Sequence, residues 1–204
     1  MTRKIASLGF SLAALTAGVL TTGHAGAAEY YQAGKVSVAL ERVFGLHYMH
    51  EEVQFPNGTS DVHSATAVGL GWYGARSFYH WGRAAVDGFV INRLSLGGSI
   101  GFYNQSGDGN DSGFLIYPRV GYVVPISSVF SFWPRGGFSF VSFNNSSLFG
   151  LGAEAMFVAS PREGWGILFG PTFDFGFAGH AGNQNNDWTH FSLGFPAVGL
   201  MGTF

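Results

Sequence analysis

The sequence predicts an all-β fold, a transmembrane antiparallel up-and-down β-barrel of eight strands. Apolar residues recur at every second position over many segments, which is the periodicity of strands with two different faces. Only 11% of the residues are charged, against a usual value of ~25%, while aromatic residues reach 17%. A soluble domain with so little charge would leave its surface apolar, whereas a barrel whose outer surface faces lipid requires an apolar exterior.

The first 28 residues are predicted to form a secretory signal peptide, which leaves residues 29–204 as the barrel domain. A short positive start is followed by an apolar stretch over 5–20 and by the small-residue pattern A-x-A at 25–27. This order is typical of a segment that is cleaved during export. After residue 28 no uninterrupted apolar run reaches ~18 residues, so we expect no membrane-spanning helix in the mature chain.

The two faces of the predicted strands differ in residue type, most clearly in the segment 165–177. One face carries Trp, Ile and four Phe, whereas the other carries mostly Gly with Leu, Thr and Asp. A soluble sandwich would carry long charged side chains on its solvated face. Small residues with single charges suit the interior of a narrow barrel, where space is short. The aromatic face is therefore expected to contact lipid.

Eight such segments are long enough for the ~9–11 residues that a tilted strand needs to cross a membrane. They cover residues 35–47, 80–91, 94–104, 113–125, 128–143, 147–159, 164–178 and 190–204. Tight turns alternate with longer polar runs, as expected for periplasmic turns and external loops. The longer runs are 48–79, 105–112 and 179–189. Residues 62–73 are assigned to the first loop as a strand extension above the membrane, and a ten-stranded barrel is the alternative.

Strict alternation turns seven charged residues towards the lumen, namely Glu41, Arg83, Asp87, Arg119, Arg135, Glu154 and Asp174. An eight-stranded barrel is just wide enough to be filled by its own side chains. We interpret the seven as a buried ion-pair network, and a charged constriction in a narrow pore is the alternative. Alternation would point Arg42 at lipid, which costs ~2–4 kcal/mol near the midplane. A bulge or a position near the headgroups is therefore expected there.

The sequence offers little for cofactor, metal or nucleic-acid chemistry. It contains no cysteine, which excludes disulfides and cysteine-based sites. No basic patch is present, so we expect no nucleic-acid partner. We expect no cofactor and no metal site, although several His and Glu residues could gather near the external mouth as ligands. Those candidates are His47, His50, Glu51, Glu52, His63, His180 and His190.

The last strand ends with Val198, Leu200 and Phe204 on one face, after a bulge that we predict near Pro196. A terminal Phe preceded by such alternation resembles the assembly signal of bacterial outer-membrane proteins. With the signal peptide and eight strands, the chain resembles the broad family of small outer-membrane β-barrels that includes OmpX- and OmpW-like proteins. The resemblance implies location in the bacterial outer membrane, contact with its lipid and lipopolysaccharide, and transient binding to the export and barrel-assembly machinery. We expect a monomer.

The predicted role is structural or interactive, with a side-chain-filled lumen and with 48–79 and 179–189 available to surface ligands. A narrow channel or transporter for small or hydrophobic solutes is the alternative. A third interpretation rests on His190 and Ser192, which resemble the His-x-Ser pair of outer-membrane lipid A deacylases. A serine nucleophile needs a base that a third group orients. No Asp or Glu follows His190 and alternation turns both residues inward, so we expect no enzyme.

Overall fold

The computed structural model describes residues 31–70, 75–106, 111–162, 164–182 and 186–204, without the side chains of residues 75–77 and 162. The predicted signal peptide lies outside these ranges and stays a prediction. Within them, no helix is long and apolar enough to span a membrane.

The described residues form ten β-strands and one short 3-10 helix, Ala75–His80, between the second and third strands. The strands are β1 (Val36–Gln54), β2 (Ser60–Leu70), β3 (Arg83–Ile91), β4 (Leu94–Gln105), β5 (Asp111–Tyr122), β6 (Val124–Pro125), β7 (Phe130–Phe143), β8 (Ser146–Arg162), β9 (Trp165–Ala181) and β10 (Asn186–Thr203).

Eight of these strands form a closed antiparallel barrel. The order around the wall is β1, β3, β4, β5, β7, β8, β9 and β10, and β10 pairs with β1 to close the circle. β6 adds two residues beside β7, and β2 adds a strand beside one half of β1. The predicted eight-stranded barrel is confirmed, because β2 and β3 together occupy one position in the wall, beside the two halves of β1, and β6 adds only two residues beside β7.

The alternation of each strand separates an exposed apolar exterior from a buried interior. In β9, Phe173, Phe175 and Phe177 are exposed, whereas Thr172 and Asp174, at the alternate positions, are buried. Since side chains of a strand point alternately to opposite faces, the aromatic residues cover the outside of the wall. The small and charged residues are therefore left to share the narrow interior.

The interior contains two apolar layers with charged residues between them. The layer nearest the two ends of the described chain, residues 31 and 204, includes Tyr31, Trp133 and Met201, and we call this end of the barrel the terminal end. The layer at the opposite end, which we call the loop end, includes Phe78 and Trp188.

Two bulges correct the register of the strands that close the barrel. Between Leu40 and Phe44, β1 advances four residues while β10 advances from Leu200 to Val198 only. Arg42 lies in this bulge with a φ of 54°. In β10, an extra residue between Gly194 and Ala197 shifts the pairing with β9, which confirms the bulge predicted near Pro196.

The predicted long first loop, 48–79, is wrong as a loop, although the strand extension predicted within it at 62–73 corresponds to β2. β1 continues to Gln54 and β2 returns along it, after which the 3-10 helix enters the lumen and β3 begins at Arg83 instead of residue 80. The second predicted loop, 179–189, is mostly strand as well, because β9 extends to Ala181 and β10 starts at Asn186. The strands in both regions were not predicted because polar residues occur on both of their faces. The alternation of apolar and polar residues that marks the other strands is therefore missing there.

Candidate functional site

The structure brings all seven residues of the predicted inward set together in the interior, where each is buried. Arg42 joins them, so the group contains four arginines and four carboxylates. The eight side chains come from β1, β3, β5, β7, β8 and β9 and therefore cross the lumen from most of its wall. We call them the charged layer: Glu41, Arg42, Arg83, Asp87, Arg119, Arg135, Glu154 and Asp174.

Arg119 is at the centre of the charged layer. Its Nη1 and Nη2 atoms donate to the two carboxylate oxygens of Glu41 at 2.7 and 2.9 Å. Nη2 also lies 2.5 Å from Oδ2 of Asp87. Arg135 lies beside it, with Nη1 2.5 Å from Oε1 of Glu41 and Nη2 2.7 Å from Oε2 of Glu154. Planar guanidinium groups suit such paired contacts with carboxylates, so the five strands β1, β3, β5, β7 and β8 are tied together here.

Arg42 occupies the lumen because of the β1 bulge. Its Nη1 lies 2.7 Å from Oδ2 of Asp174 and its Nη2 3.0 Å from Oε1 of Glu154. The two extra residues of the bulge turn the side chain inward, so the unfavourable contact with lipid does not arise. The sequence indicated this bulge, because Arg42 would otherwise be a single charge on the apolar outward face of β1.

The charged layer has no formal net charge, since four guanidinium groups face four carboxylates. A buried ion needs a partner and hydrogen bonds to offset its loss of hydration. Here each carboxylate lies within 4.0 Å of at least one arginine. This arrangement can hold the strands in register, and Arg83 is the arginine with the loosest carboxylate contact, 3.9 Å from Nη2 to Oδ1 of Asp174.

A second closure lies on the loop-end side of the charged layer. Residues 78–81, which we call the plug, end the 3-10 helix and are buried in the lumen to 1% exposure or less. The backbone carbonyl of Tyr79 accepts hydrogen bonds from Arg42 and from Nη2 of Arg83, the latter at 2.8 Å. The Tyr79 hydroxyl shares a hydrogen bond of 3.0 Å with Oγ of Ser139. The plug is thereby fixed to the charged layer and to β7.

The sequence reasoning missed the plug because it falls in the predicted external loop. Its signal was the run Phe78-Tyr79-His80-Trp81, which has too many aromatic residues for a solvated loop. Trp81 stacks on Tyr103 of β4, with ring centroids 5.2 Å apart.

His47 and His190 lie beside the plug, which itself contains His80, and this arrangement differs from the enzyme and metal alternatives considered from the sequence. The rings of His47 and His80 lie 4.0 Å apart, and His190 lies 4.6 Å from Phe78. Ser192 shares a hydrogen bond of 2.9 Å with Nε2 of His80, so its partner is not His190. Both atoms lie inside the barrel, away from the lipid that a deacylase would act on. In the described part of the chain, no three His, Asp or Glu side chains are arranged to hold a metal.

The barrel wall is split at the loop end, beside the plug. Among the described residues, β2 pairs only with β1. The pairing of β3 with β4 stops at Ile100, and the rest of β4, to Gln105, pairs with β5 alone. β2 and the end of β4 therefore face each other without a ladder between them, and the stacked Trp81 and Tyr103 belong to this region.

The two ends of the barrel differ in charge. The described carboxylates outside the charged layer are all at the loop end: Glu51, Glu52, Asp61, Asp111 and Asp187. The described exposed cations, Lys35 and Arg93, are at the terminal end, beside the start of β1 and the turn after β3. The described surface of the loop end is therefore acidic.

Comparison with known proteins gives structural similarity only. No family model and no curated protein matches the chain. The fold is similar to Ail, the attachment invasion locus protein of Yersinia pestis, at 11% identity and a TM-score of 0.42, covering 85% of this chain and 100% of that one. Neisserial surface protein A is similar at 14% sequence identity and a TM-score of 0.45, over 84% of this chain and 98% of that one. OprG from Pseudomonas aeruginosa is similar at 11% identity and a TM-score of 0.42, over 85% of this chain and 97% of that one. The function is therefore derived from the geometry of this chain.

Proposed function

We propose that the protein is a non-conducting barrel of the bacterial outer membrane that displays a surface-interaction element. The observation that carries the proposal is the closed lumen. The charged layer and the plug lie one above the other, and Tyr79 joins them through its hydrogen bonds to Arg42 and Arg83. A lumen closed twice by buried side chains serves a structural or interactive role better than it serves conduction.

The exterior supports the membrane placement. Leu40, Phe138 and Phe195, on three different strands, are at least half exposed although they are large and apolar. Residues of this kind on the outside of a closed barrel are stable in lipid and unfavourable in water. On this proposal the partners are outer-membrane lipid and lipopolysaccharide, with transient contacts to the export and barrel-assembly machinery. The protein would act as a monomer without a cofactor.

The surface-interaction element is the loop-end part of the β1–β2 hairpin. β8, β9, β10 and β1 have 17 to 19 residues each, well beyond the ~9–11 needed for a crossing. On this proposal the excess length carries the tip of the hairpin, between Gln54 and Ser60, beyond the membrane. The loop end would then face the cell exterior, as the longer connections of outer-membrane barrels do.

Single-channel recording tests the closed lumen. The refolded protein, its folding checked by a heat-modifiable gel shift, is expected to show no discrete openings in planar bilayers. A matched variant with Arg135→Ala and Glu154→Ala removes a paired cation and anion from the charged layer and keeps its net charge at zero. Discrete, reproducible openings in the unmodified protein would contradict the proposal. Openings in the variant alone would show that the charged layer closes the lumen.

A second function, passage of an apolar solute, is favoured by the split wall. Leu70 and Val68 on β2 are 83% and 68% exposed beside the gap that faces β4. An apolar molecule could leave the loop end through this gap into the membrane without crossing the charged layer. Protein-dependent uptake of a hydrophobic dye into vesicles, with no ion conductance, would support this function over the first.

A further inference from the structure

Two histidine rings are packed against each other inside the lumen, one on the plug and one on the wall. His80 belongs to the plug and His47 to β1, each is only 1% exposed, and their ring centroids lie 4.0 Å apart. Ser192 of β10 shares a hydrogen bond of 2.9 Å between its Oγ and Nε2 of His80. The histidine pair is therefore a contact between the plug and two strands of the wall.

The wall is shaped to hold the ring of His47 against the plug. A Cβ atom on Gly45 would lie 2.6 Å from Nε2 of His47, and one on Gly194 would lie 2.9 Å from Nδ1. Both distances are too short for any residue with a side chain, so the ring occupies space that two glycines leave open. The position of His47 is therefore built into β1 and β10.

Positive charge already lies beside the histidine pair, on the side of the charged layer. The charged and titratable groups that act on His80 come from three strands: Arg42 and His47 of β1, Arg83 of β3 and His190 of β10. Both arginines donate to the carbonyl of Tyr79, the residue before His80, and both contact the same carboxylate, Asp174 of β9. A proton on His80 would therefore add a third cation beside two arginines that already share this carboxylate.

The opposite side of the pair leads to the acidic loop end. His190 has Glu51 of β1 as its direct cross-strand neighbour there, and the described carboxylates outside the charged layer lie at this end, as described above. A charged plug would therefore be repelled by the arginines on one side and attracted by carboxylates on the other. The electric field along the lumen favours movement of a protonated plug towards the loop end.

Acid favours departure of the plug because only the released ring binds a proton readily. Burial holds the pKa of His80 well below its ordinary value of about 6.5, and the neighbouring His47 and Arg42 lower it further. A released plug would return the ring to water and to its ordinary pKa. Above about pH 6.5 both states are neutral and pH has no effect. Each pH unit below that value favours release by up to about ten-fold for every histidine that gains a proton.

We propose that the plug is a pH-sensitive latch, which stays in the lumen while His47 and His80 are neutral and moves towards the loop end when this pair is protonated. The proposal rests on the closed lumen of the proposed function and adds a regulation of one of its two closures. The charged layer remains in place, so release exposes the loop-end half of the lumen and the split in the wall without opening a continuous pore.

Hydrogen exchange of the plug backbone tests the latch in the full-length mature protein refolded in nanodiscs. Exchange of a peptide that contains residues 78–81 is followed by mass spectrometry and corrected for the intrinsic exchange rate at each pH. Protection of the plug should fall at least about ten-fold between about pH 7.5 and pH 5, while protection of β8 stays constant. Plug protection that does not change over this range would overturn the proposal.

Replacement of histidine by glutamine assigns the acid effect to the pair. His80→Gln keeps a hydrogen-bonding side chain for Ser192 but cannot take a proton, so most of the acid-induced loss of plug protection should disappear. His180→Gln, at an exposed histidine near the end of β9, is the matched control and should respond to acid like the unmodified protein. An undiminished acid response in His80→Gln would overturn the proposal. If His80→Gln does not refold, His47→Gln makes the same test from the wall.

Conductance measured at both pH values separates the latch from the closed lumen on which it rests. No openings are expected at pH 7.5 or at pH 5, because the charged layer still closes the barrel when the plug has left. Openings at pH 7.5 would contradict the closed lumen itself. Silence at both pH values together with unchanged plug protection would overturn the latch alone and leave the proposed function standing.

Discussion

Arg42 shows how much one residue contributes to this barrel. It joins Asp174, Glu154 and the carbonyl of Tyr79, so one guanidinium connects β8, β9 and the plug. Without it, Asp174 would keep only Arg83, whose Nη2 is 3.9 Å from its Oδ1 atom. The carboxylate would then be buried with weak compensation, which is the costly case for an ion in an interior.

At the residue scale we predict that Arg42→Met lowers the free energy of unfolding by about 3–5 kcal/mol, because it leaves two buried carboxylates with less positive charge. Urea titration of the protein in lipid vesicles measures the change. Lys35→Gln, an exposed cation at the terminal end, is the control and should stay within about 0.5 kcal/mol. A loss below about 1 kcal/mol for Arg42→Met would show that the remaining arginines satisfy both carboxylates.

At the scale of elements, the 3-10 helix and the plug replace the missing upper wall between β2 and β4. The chain leaves β2, enters the lumen and rejoins the wall as β3, whose first residue, Arg83, is directly opposite Glu41. Trp81 fills the space next to β4 by stacking on Tyr103. The same element therefore caps the charged layer and packs against β4 beside the gap in the wall.

Trp81→Ala should lower the free energy of unfolding by about 3–5 kcal/mol, the usual effect of removing a large buried ring. The protein should still show no conductance, because the charged layer remains closed beneath the plug. Trp81→Phe keeps a ring beside Tyr103 and should cost clearly less. Channel openings in Trp81→Ala would mean that the plug alone closes the lumen.

At the scale of the whole molecule, the terminal end is where the last residue, Phe204, pairs with the first strand of the barrel. At the terminal end, the backbone of Phe204 exchanges hydrogen bonds with Val36, at 3.1 and 2.9 Å, while its side chain is 74% exposed. The Phe204 ring thus makes few contacts with the rest of the fold. Val198 and Leu200, the other residues of the predicted signal, lie on β10 before it.

Phe204→Ala should lower the amount of protein that reaches the outer membrane in cells several-fold, while the purified variant refolds with an unchanged gel shift. The reason is that the substitution removes an exposed ring and leaves the backbone pairing intact. Phe195→Ala is the matched control, since that ring is 63% exposed on the same strand but away from the terminus. Equal losses in cells for both variants would argue against a terminal signal.

The sequence by itself determined the barrel and the position of most of its charges. Period-two alternation fixes which side of a strand each residue takes, so Glu154 and Asp174 could be assigned to the interior without coordinates. The bulge near Pro196 was also predictable, because the two halves of the last strand have opposite parity. These are local properties, and they depend only on the order of residues along one strand.

Only the tertiary structure decided the inward turn of Arg42, the entry of Phe78–Trp81 into the lumen and the split in the wall beside β2. Each depends on residues far apart in sequence: the bulge at Arg42 is matched to β10, and Tyr79 is held by arginines of β1 and β3. Alternation states which face a residue occupies, but it does not state which strand becomes its neighbour or where pairing stops. Those outcomes are set by packing inside a lumen that only the closed barrel defines.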